Sequence, residues 1–367
     1  MRKKIRVAVL FGGKSAEHEI SLLSAKNVVE AIDKNKYEVV LIGIDKKGKW
    51  YINDDARLLE KADRPKPIRF DRAQNALGLV PSDKTQQWLR LSGRRADKPV
   101  DVIFPVLHGT FGEDGTVQGL LKMADIPFVG AGVLGSAVGM DKDAMKRLLR
   151  DARIPIARFL ILHSSERKQL DFPAVERELE LPLFVKPANC GSSVGIHKVK
   201  DERQFAAAVK DAFRYDQKIL IEEFIQGREI ECSVLGNEDP IASLPGEIVT
   251  SHEFYSYEAK YLDEKGAALE IPAKLPEPVV REIQRLAVKT FKALCCEGMA
   301  RVDFFLRGDR EVIVNEINTI PGFTKISMYP KMWEASGIGY TELIDRLIQL
   351  ALERFKKEKR LKTSFGV

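Results

Sequence analysis

MARVDFFLRGDREVIVNEINTIPGFTKISMYP, residues 299–330, holds two apolar, alternating segments on either side of a polar break at Arg307-Gly308-Asp309-Arg310. That pattern reads as a β-hairpin. With the turn centred between Gly308 and Asp309, Arg301 lies opposite Glu316 and Asp303 opposite Val314. Side chains two apart on a strand share a face. Arg301, Asp303, Glu316 and Asn318 then point the same way, with Val302, Phe304 and Leu306 on the other side. Oxygen ligands of this kind suit Mg²⁺, a hard ion usually held by one or two carboxylates plus substrate phosphates. An arginine beside them can take developing negative charge on a phosphoryl or acyl oxygen. The plainer reading is a surface hairpin with solvated acids, but these flanks are too apolar for an exposed strand. A loop of odd length would turn the four residues to opposite faces.

The surrounding chain has the composition of an ordinary soluble globular protein, with 44% hydrophobic and 31% charged residues. Its 367 residues suffice for two or three domains. The net charge of +6 favours anionic small molecules. No long basic block argues for nucleic acid, and the basic run at 354–362 reads as a solvated helix end. Cys190, Cys232, Cys295 and Cys296 form no CxxC pair and no zinc spacing, which suits a reducing interior. The apolar run at 7–11 is too short for a signal peptide, and no stretch could span a membrane. A cytoplasmic location is expected.

Residues 5–11 read as a buried strand ending in Gly12-Gly13, residues 17–32 as a helix, and residues 37–44 as a second strand. This is a βαβ unit with a glycine turn at the strand's carboxyl end, where open α/β sheets bind ligands. The turn FGGKSAEHE is not GxGxxG, and no Walker lysine motif is present. Glu17 can stabilise the helix N-terminus or offer a carboxylate to a substrate ammonium. Residues 53–98 are charged and proline-rich, an insertion without visible chemistry. The next strand, 100–107, contains Pro105, which belongs at a sheet edge or a strand end. After it, HGTFGEDG places His108, Glu113 and Asp114 on the same edge as Glu17, with Thr116 positioned to cap the following helix. Turn chemistry and capping account for these acids equally well.

Met140-Asp141-Lys142 opens a helix that stops before Pro155. Leu183 to Lys186 forms a short strand, followed by the small-residue run Asn189-Cys190-Gly191-Ser192-Ser193-Val194-Gly195 and another strand at 196–199. Strand, glycine-serine loop, strand describes a flap whose backbone N–H groups can approach phosphate oxygens. Lys186 ends an otherwise apolar strand, and a lysine pointing inward must meet an anion. The strand at 219–224 leads into Gly227-Arg228-Glu229, an acid-containing bend that could read a purine, with Glu229 available for ribose hydroxyls.

KPANCGSSVG, IEEFIQGREIE, MARVDFF and NEINTIPGFT, in this order, resemble the ATP-grasp superfamily. With FGGKSAEHEISL, HGTFGEDG, MDKDAMKRLLRDA and FYSYEAKY added, the chain is similar to the D-alanine–D-alanine ligases. The resemblance covers nearly everything except 53–98 and the last dozen residues. It implies an N-terminal open parallel α/β domain at 1–138. A two-subdomain ATP-grasp fold on antiparallel sheets would follow, with a central subdomain at 139–222 and a metal-bearing subdomain at 223–367.

The same resemblance implies roles. Lys142, Lys186 and Ser193 would contact ATP phosphates beneath the flap at 191–195. Glu222, Glu223, Phe224 and Ile225 would meet adenine, Glu229 would bind ribose, and Lys260 would help close a loop over the nucleotide. Asp303, Glu316 and Asn318 would ligate two Mg²⁺ ions, with Mn²⁺ as a substitute, and Arg301 would stabilise the phosphoryl and tetrahedral species. Glu17, Ser192 and Tyr261 would form a hydrogen-bonded trio beside the first D-alanine, near His108. Ser327 and Met328 would hold the second. A homodimer through the N-terminal domain is implied as well.

The expected reaction is ligation of two D-alanine molecules through D-alanyl phosphate, for peptidoglycan precursor synthesis. A different acceptor, D-lactate or D-serine, is the alternative, and a non-catalytic nucleotide-binding protein is a third reading. Tyr261 resembles the dipeptide-forming type. Cys190 stands where relatives commonly carry another polar or charged residue, which places a thiol beside the phosphate pocket. Alkylation there is expected to slow the enzyme, with ATP protecting it.

Overall fold

The computed structural model describes residues 3–53, 59, 76–81, 87–90, 98–250 and 267–362. Strand β1 (Ile5–Gly12) is flanked by β2 (Tyr37–Ile44) and by β6 (Val102–Pro105), both parallel to it, while β3 (Trp50–Asn53) adds an antiparallel edge on β2. The order is β3-β2-β1-β6. β1 reads as a nearly unbroken apolar run because a parallel sheet is buried on both faces. Pro105 closes β6, which is an edge strand, as its missing N–H requires. Helix α1 (His18–Ala31) returns the chain from β1 to β2. Gly12 has φ +91, and a Cβ there would lie 2.2 Å from the Ile44 carbonyl oxygen, so only glycine fits this turn. A short pair, β4 (Leu77–Leu79) with β5 (Trp88–Arg90), is the described part of the insertion.

Helices α2 (Thr116–Met123), α3 (Val133–Met140) and α4 (Lys142–Asp151) lead to a second sheet. Thr116 does not cap α2. Gly115 is the N-cap, in a left-handed conformation, and the Asp114 carboxylate accepts from the backbone N–H groups of Phe111 and Thr116 instead. Asp141 does cap α4, accepting from Asp143 and Ala144 N–H at 3.0 Å.

The second sheet has the order β7-β10-β8-β9, all antiparallel: β7 (Phe159–His163), β8 (Leu183–Pro187), β9 (His197–Val199) and β10 (Lys218–Glu223). Helices α5 (Phe172–Leu179) and α6 (Glu202–Ala212) cover one face, where Leu183, Val185, Ile219 and Ile221 are buried. Strand alternation therefore turns Phe184, Lys186, Leu220 and Glu222 to the opposite face.

The third sheet comprises β11 (Arg228–Gly236), β12 (Ile241–Ala242), β13 (Gly246–Thr250), β14 (Ala267–Glu270), β15 (Gly298–Arg307) and β16 (Glu311–Asn318). Its order is β14-β13-β11-β15-β16, with β12 paired to β11. Ile230, Cys232, Val234, Val302, Phe304 and Leu306 pack beneath α4 and α7 (Glu277–Ala293).

The β15–β16 hairpin forms where the sequence places it, but its register differs. Arg301 faces Asn318, not Glu316, and Asp303 faces Glu316, not Val314. Arg307 pairs with Glu311, so the loop is the odd set Gly308, Asp309 and Arg310. A register shift between Asp303 and Phe304 leaves Asn315 as an extra residue and restores the alternation lost at the loop.

The final helices, α8 (Met328–Ala335) and α9 (Tyr340–Glu358), pack on the first sheet. One continuous core joins Val7, Val9 and Phe104 to Phe323, Tyr329, Trp333, Leu343 and Leu347. Arg354 at the end of α9 is buried; it donates to the carbonyls of Gly130 (2.6 Å) and Phe128 (2.8 Å) and lies over the Phe128 ring. Among the described residues no helix is long and apolar enough to cross a membrane.

Candidate active site

The polar face of the third sheet carries two rows of side chains. In one, Glu231 pairs with Asp303 and Asp303 with Glu316; in the other, Ser233 pairs with Arg301 and Arg301 with Asn318. Arg301 donates from Nε and Nη2 to the two Asp303 oxygens, both at 2.7 Å, and its Nε lies 2.9 Å from Glu231 Oε2. Asn318 Nδ2 donates to Asp303 Oδ2 at 2.9 Å. Burial alone would lower the Arg301 pKa, but Asp303 and Glu231 hold it well above its ordinary value.

A cleft of about 40 Å³ opens here between Glu229, Glu231, Asp303, Phe305, Asn315 and Glu316. Two carboxylates on neighbouring strands, an amide beside them and room for a small ion suit a hard divalent cation. Among the described residues no three His, Cys, Asp or Glu side chains close into a complete cage. Such an ion would take its remaining oxygens from a bound phosphate and from water.

Lys142, the first residue of α4, reaches across to this row, with Nζ 3.4 Å from Glu316 Oε2 and donating to the Cys190 carbonyl at 3.0 Å. The helix start is pinned to the residue after β8 through Lys142 N–H donating to Ala188 O, and Lys218 holds the Asp141 and Asp143 carboxylates. On the second sheet Lys186 Nζ donates to Glu222 Oε2 at 2.5 Å, and Lys146 contacts the other oxygen of the same carboxylate. Burial would raise the Glu222 carboxyl, yet the two ammonium groups push it down to about 2. In the flap, Ser192 and Ser193 have φ of +51 and +57. Left-handed backbone in consecutive non-glycine residues is strained, and such strain clusters at ligand clamps.

The flap also meets the first domain. Ser192 Oγ donates to Glu17 Oε1. Gly109 lies so close that a Cβ there would sit 2.6 Å from Glu17 Oε2. His108 is buried, with Nδ1 3.0 Å from the Ile320 carbonyl and Nε2 3.0 Å from Ser24 Oγ. A carbonyl can only accept, so Nδ1 carries the proton and Nε2 accepts from the Ser24 hydroxyl. Burial keeps this imidazole neutral by lowering its pKa. Glu113 accepts from Gly109 N–H (2.7 Å) and Ile320 N–H (3.1 Å), tying the first domain to the third. Burial, then the nearby Glu17 carboxylate, push Glu113 up to about 8.

The structure thus gathers Glu17, His108, Lys142, Lys186, Ser192, Ser193, Glu222, Glu229, Arg301, Asp303, Glu316 and Asn318 around the junction of the three sheets. Other expected residues sit differently. Glu223 turns outward to Arg158, accepting from its N–H and Nε at 2.7 Å. The Phe224 ring lies under Lys198, and the Ile225 side chain is buried with Ala157 and Ile313. Ser327 accepts from Thr324 N–H at 2.9 Å, while the Met328 side chain is buried with Ile248 and Met332 and so is not presented to a ligand. Lys260 and Tyr261 lie outside the described residues. Glu113, for which a place on Glu17's edge and turn chemistry stood equal above, and Glu231 and Lys146, unremarked there, belong to these clusters. Lys146 is one helical turn beyond Lys142, and Glu231 is two residues beyond Glu229 on one strand face.

Two family models match the chain, "D-ala D-ala ligase N-terminus" over residues 6–131 and "D-ala D-ala ligase C-terminus" over residues 148–349. The chain belongs to the D-alanine–D-alanine ligase family. It is 56% identical over 364 residues to the D-alanine–D-alanine ligase of Oceanobacillus iheyensis, covering 99% of each chain. Among solved structures, the D-alanine–D-alanine ligase of Coxiella burnetii superposes with a TM-score of 0.82 at 41% identity, covering 97% of this chain and 98% of that one. The VanG D-Ala:D-Ser ligase of Enterococcus faecalis gives 0.83 at 36% identity, covering 95% and 100%. This member of the D-alanine–D-alanine ligases is an ATP-grasp enzyme, with the mixed α/β architecture that its motifs announced.

Proposed function

We propose that the protein joins two D-alanine molecules at the expense of ATP, through D-alanyl phosphate, to supply peptidoglycan precursor synthesis. The observation that carries this reading is the convergence of Arg301, Asp303, Glu316 and Asn318 beneath Lys142, facing the Glu17–Ser192 contact. A carboxylate is a poor electrophile until its oxygen is phosphorylated. In this reading Lys142, Lys186, Ser193 and the flap backbone bind the ATP phosphates, the backbone of Glu222 to Ile225 meets adenine, and Glu229 meets ribose. Asp303, Glu316 and Asn318 hold Mg²⁺, which draws charge from the transferring phosphoryl group when bound. Arg301 takes the charge that grows on the acyl oxygen as the second D-alanine amine attacks and phosphate leaves. Glu17 and Ser192, with Tyr261, orient the first D-alanine near His108, while Ser327 and the Met328 backbone orient the second. The flap excludes water, which would hydrolyse the acylphosphate.

Domain limits of 1–138, 139–222 and 223–367 accompany the proposal, as does a homodimer through the first domain. The latter is supported by exposed Leu120 and Met123 on α2 and Val133 and Leu134 on α3, two helices packed together. All four cysteines are free thiols, which supports a reducing, cytoplasmic setting.

The likeness to a D-Ala:D-Ser ligase keeps the acceptor as the point to test. ADP release is measured with D-alanine alone, then with D-serine or D-lactate added, across pH. Release with D-alanine alone and a dipeptide product bears the proposal out. Release only with a second acceptor moves the assignment to that acceptor, and no release with any of them favours a non-catalytic nucleotide-binding protein.

A further inference from the structure

Glu222 carries two counter-ions where one would neutralise it. Its carboxylate is 1% exposed; Lys146 contacts Oε1, and Lys186 donates to Oε2. Lys146 is equally buried, at 1%, and its Nζ lies 5.9 Å from the Phe159 ring centroid. A side chain so enclosed cannot reach a ligand. Lys186 is 8% exposed and stands at the end of β8, next to the flap strand. It is diagonal to Glu222 in the register, since Lys186 pairs with Leu220 and Phe184 with Glu222. The cluster therefore holds one negative and two positive charges. One cation is fixed in the interior and the other faces the cleft.

A buried carboxylate stripped of its only partner is strongly disfavoured. With Lys186 as the sole counter-ion, drawing that ammonium towards a phosphate would leave Glu222 uncompensated, and binding would be weakened accordingly. We propose that Lys146 is a positioning residue, the resident counter-ion of Glu222, whose presence releases Lys186 to engage a phosphate of ATP. Lys146 touches neither substrate nor reacting atoms; it acts through Glu222 on Lys186. This inference rests on the reading of Lys186 as a phosphate contact.

The test is a double-mutant cycle on the full-length enzyme, reading KM for ATP and for D-alanine and the Kd of Mg-ATP by calorimetry. Lys146→Met leaves Glu222 paired with Lys186, so the fold persists; the Mg-ATP Kd and the ATP KM rise roughly tenfold or more, while the D-alanine KM stays near the parent value. Lys146→Met made in a Glu222→Gln background removes the charge that would trap Lys186, and costs little relative to Glu222→Gln alone. A purely structural Lys146 would cost the same in both backgrounds, and that equality overturns the inference. Unchanged Mg-ATP affinity in folded Lys146→Met overturns it too. Lys186→Met separates the two levels. If it leaves Mg-ATP affinity intact, the phosphate reading of Lys186 fails. If it weakens binding while Lys146→Met does not, only the counter-ion role fails.

Discussion

Asp303 lies directly across from Glu316, although the loop joining their strands has an odd number of residues. An odd loop by itself would send one of the two carboxylates to the apolar face. The extra residue at Asn315 cancels that slip, so two compensating irregularities hold the acids together. Glu316→Ala keeps the backbone register; it should fold normally yet lose turnover by ~10²-fold or more. Full activity in that variant would remove Glu316 from the chemistry.

Glu113 gives the stability of the protein a particular pH slope. Its folded pKa of about 8 lies above the ordinary value of 4.5, because burial and Glu17 disfavour the charge. Between those values the native state binds more protons than the unfolded chain. The contribution is fully present below pH 4.5 and is lost as pH rises through 8. Glu113→Gln, neutral throughout, should flatten the decline. Urea midpoints of parent and variant measured at pH 5, 7 and 8.5 check this, and parallel curves would contradict it.

Arg354 is a clasp rather than a reagent. It donates to Gly130 and Phe128 carbonyls across the junction between the last helix and the first domain. Arg354→Met should cost about 2–4 kcal/mol of unfolding free energy by leaving those carbonyls unsatisfied, with kcat little changed. Denaturant titration beside steady-state kinetics separates the two effects.

The cysteines should label in a fixed order. Cys295 is exposed, Cys190 is half-buried with its thiol pKa raised by burial, and Cys232 and Cys296 are enclosed with theirs raised further. Iodoacetamide with peptide mass mapping should find Cys295 first, Cys190 slowly, and the other two only on unfolding. Mg-ATP should slow labelling at Cys190 alone. Equal labelling with and without nucleotide would place that thiol away from the phosphate pocket.

The local patterns were legible. Apolar runs and glycine turns located β1, β2 and α1; Lys186 at the end of a greasy strand announced an anion; and alternation put Arg301, Asp303, Glu316 and Asn318 on one face. Partnerships across the chain were not. Nothing in residues 311–318 marks Asn315 as the extra one, since a polar residue next to another suits a bulge and a turn alike. Glu231 joins the acid row only because β11, from another part of the chain, lies beside β15. Lys146 looks like any helix-surface lysine until Glu222 is seen beneath it. The N-cap expected at Thr116 falls to Gly115, which adopts a left-handed geometry, while Asp114 accepts from the Thr116 N–H.

The shared core of β1 and β6 with α8 and α9 has a consequence for biosynthesis. Strands β1 and β6 leave the ribosome well before α8 and α9, the elements that cover their greasy surface. Until α9 emerges and Arg354 closes on residues 128–130, the nascent first domain is exposed to chaperones and to wrong neighbours. A stop codon ahead of α9 should therefore yield aggregates rather than a smaller working enzyme.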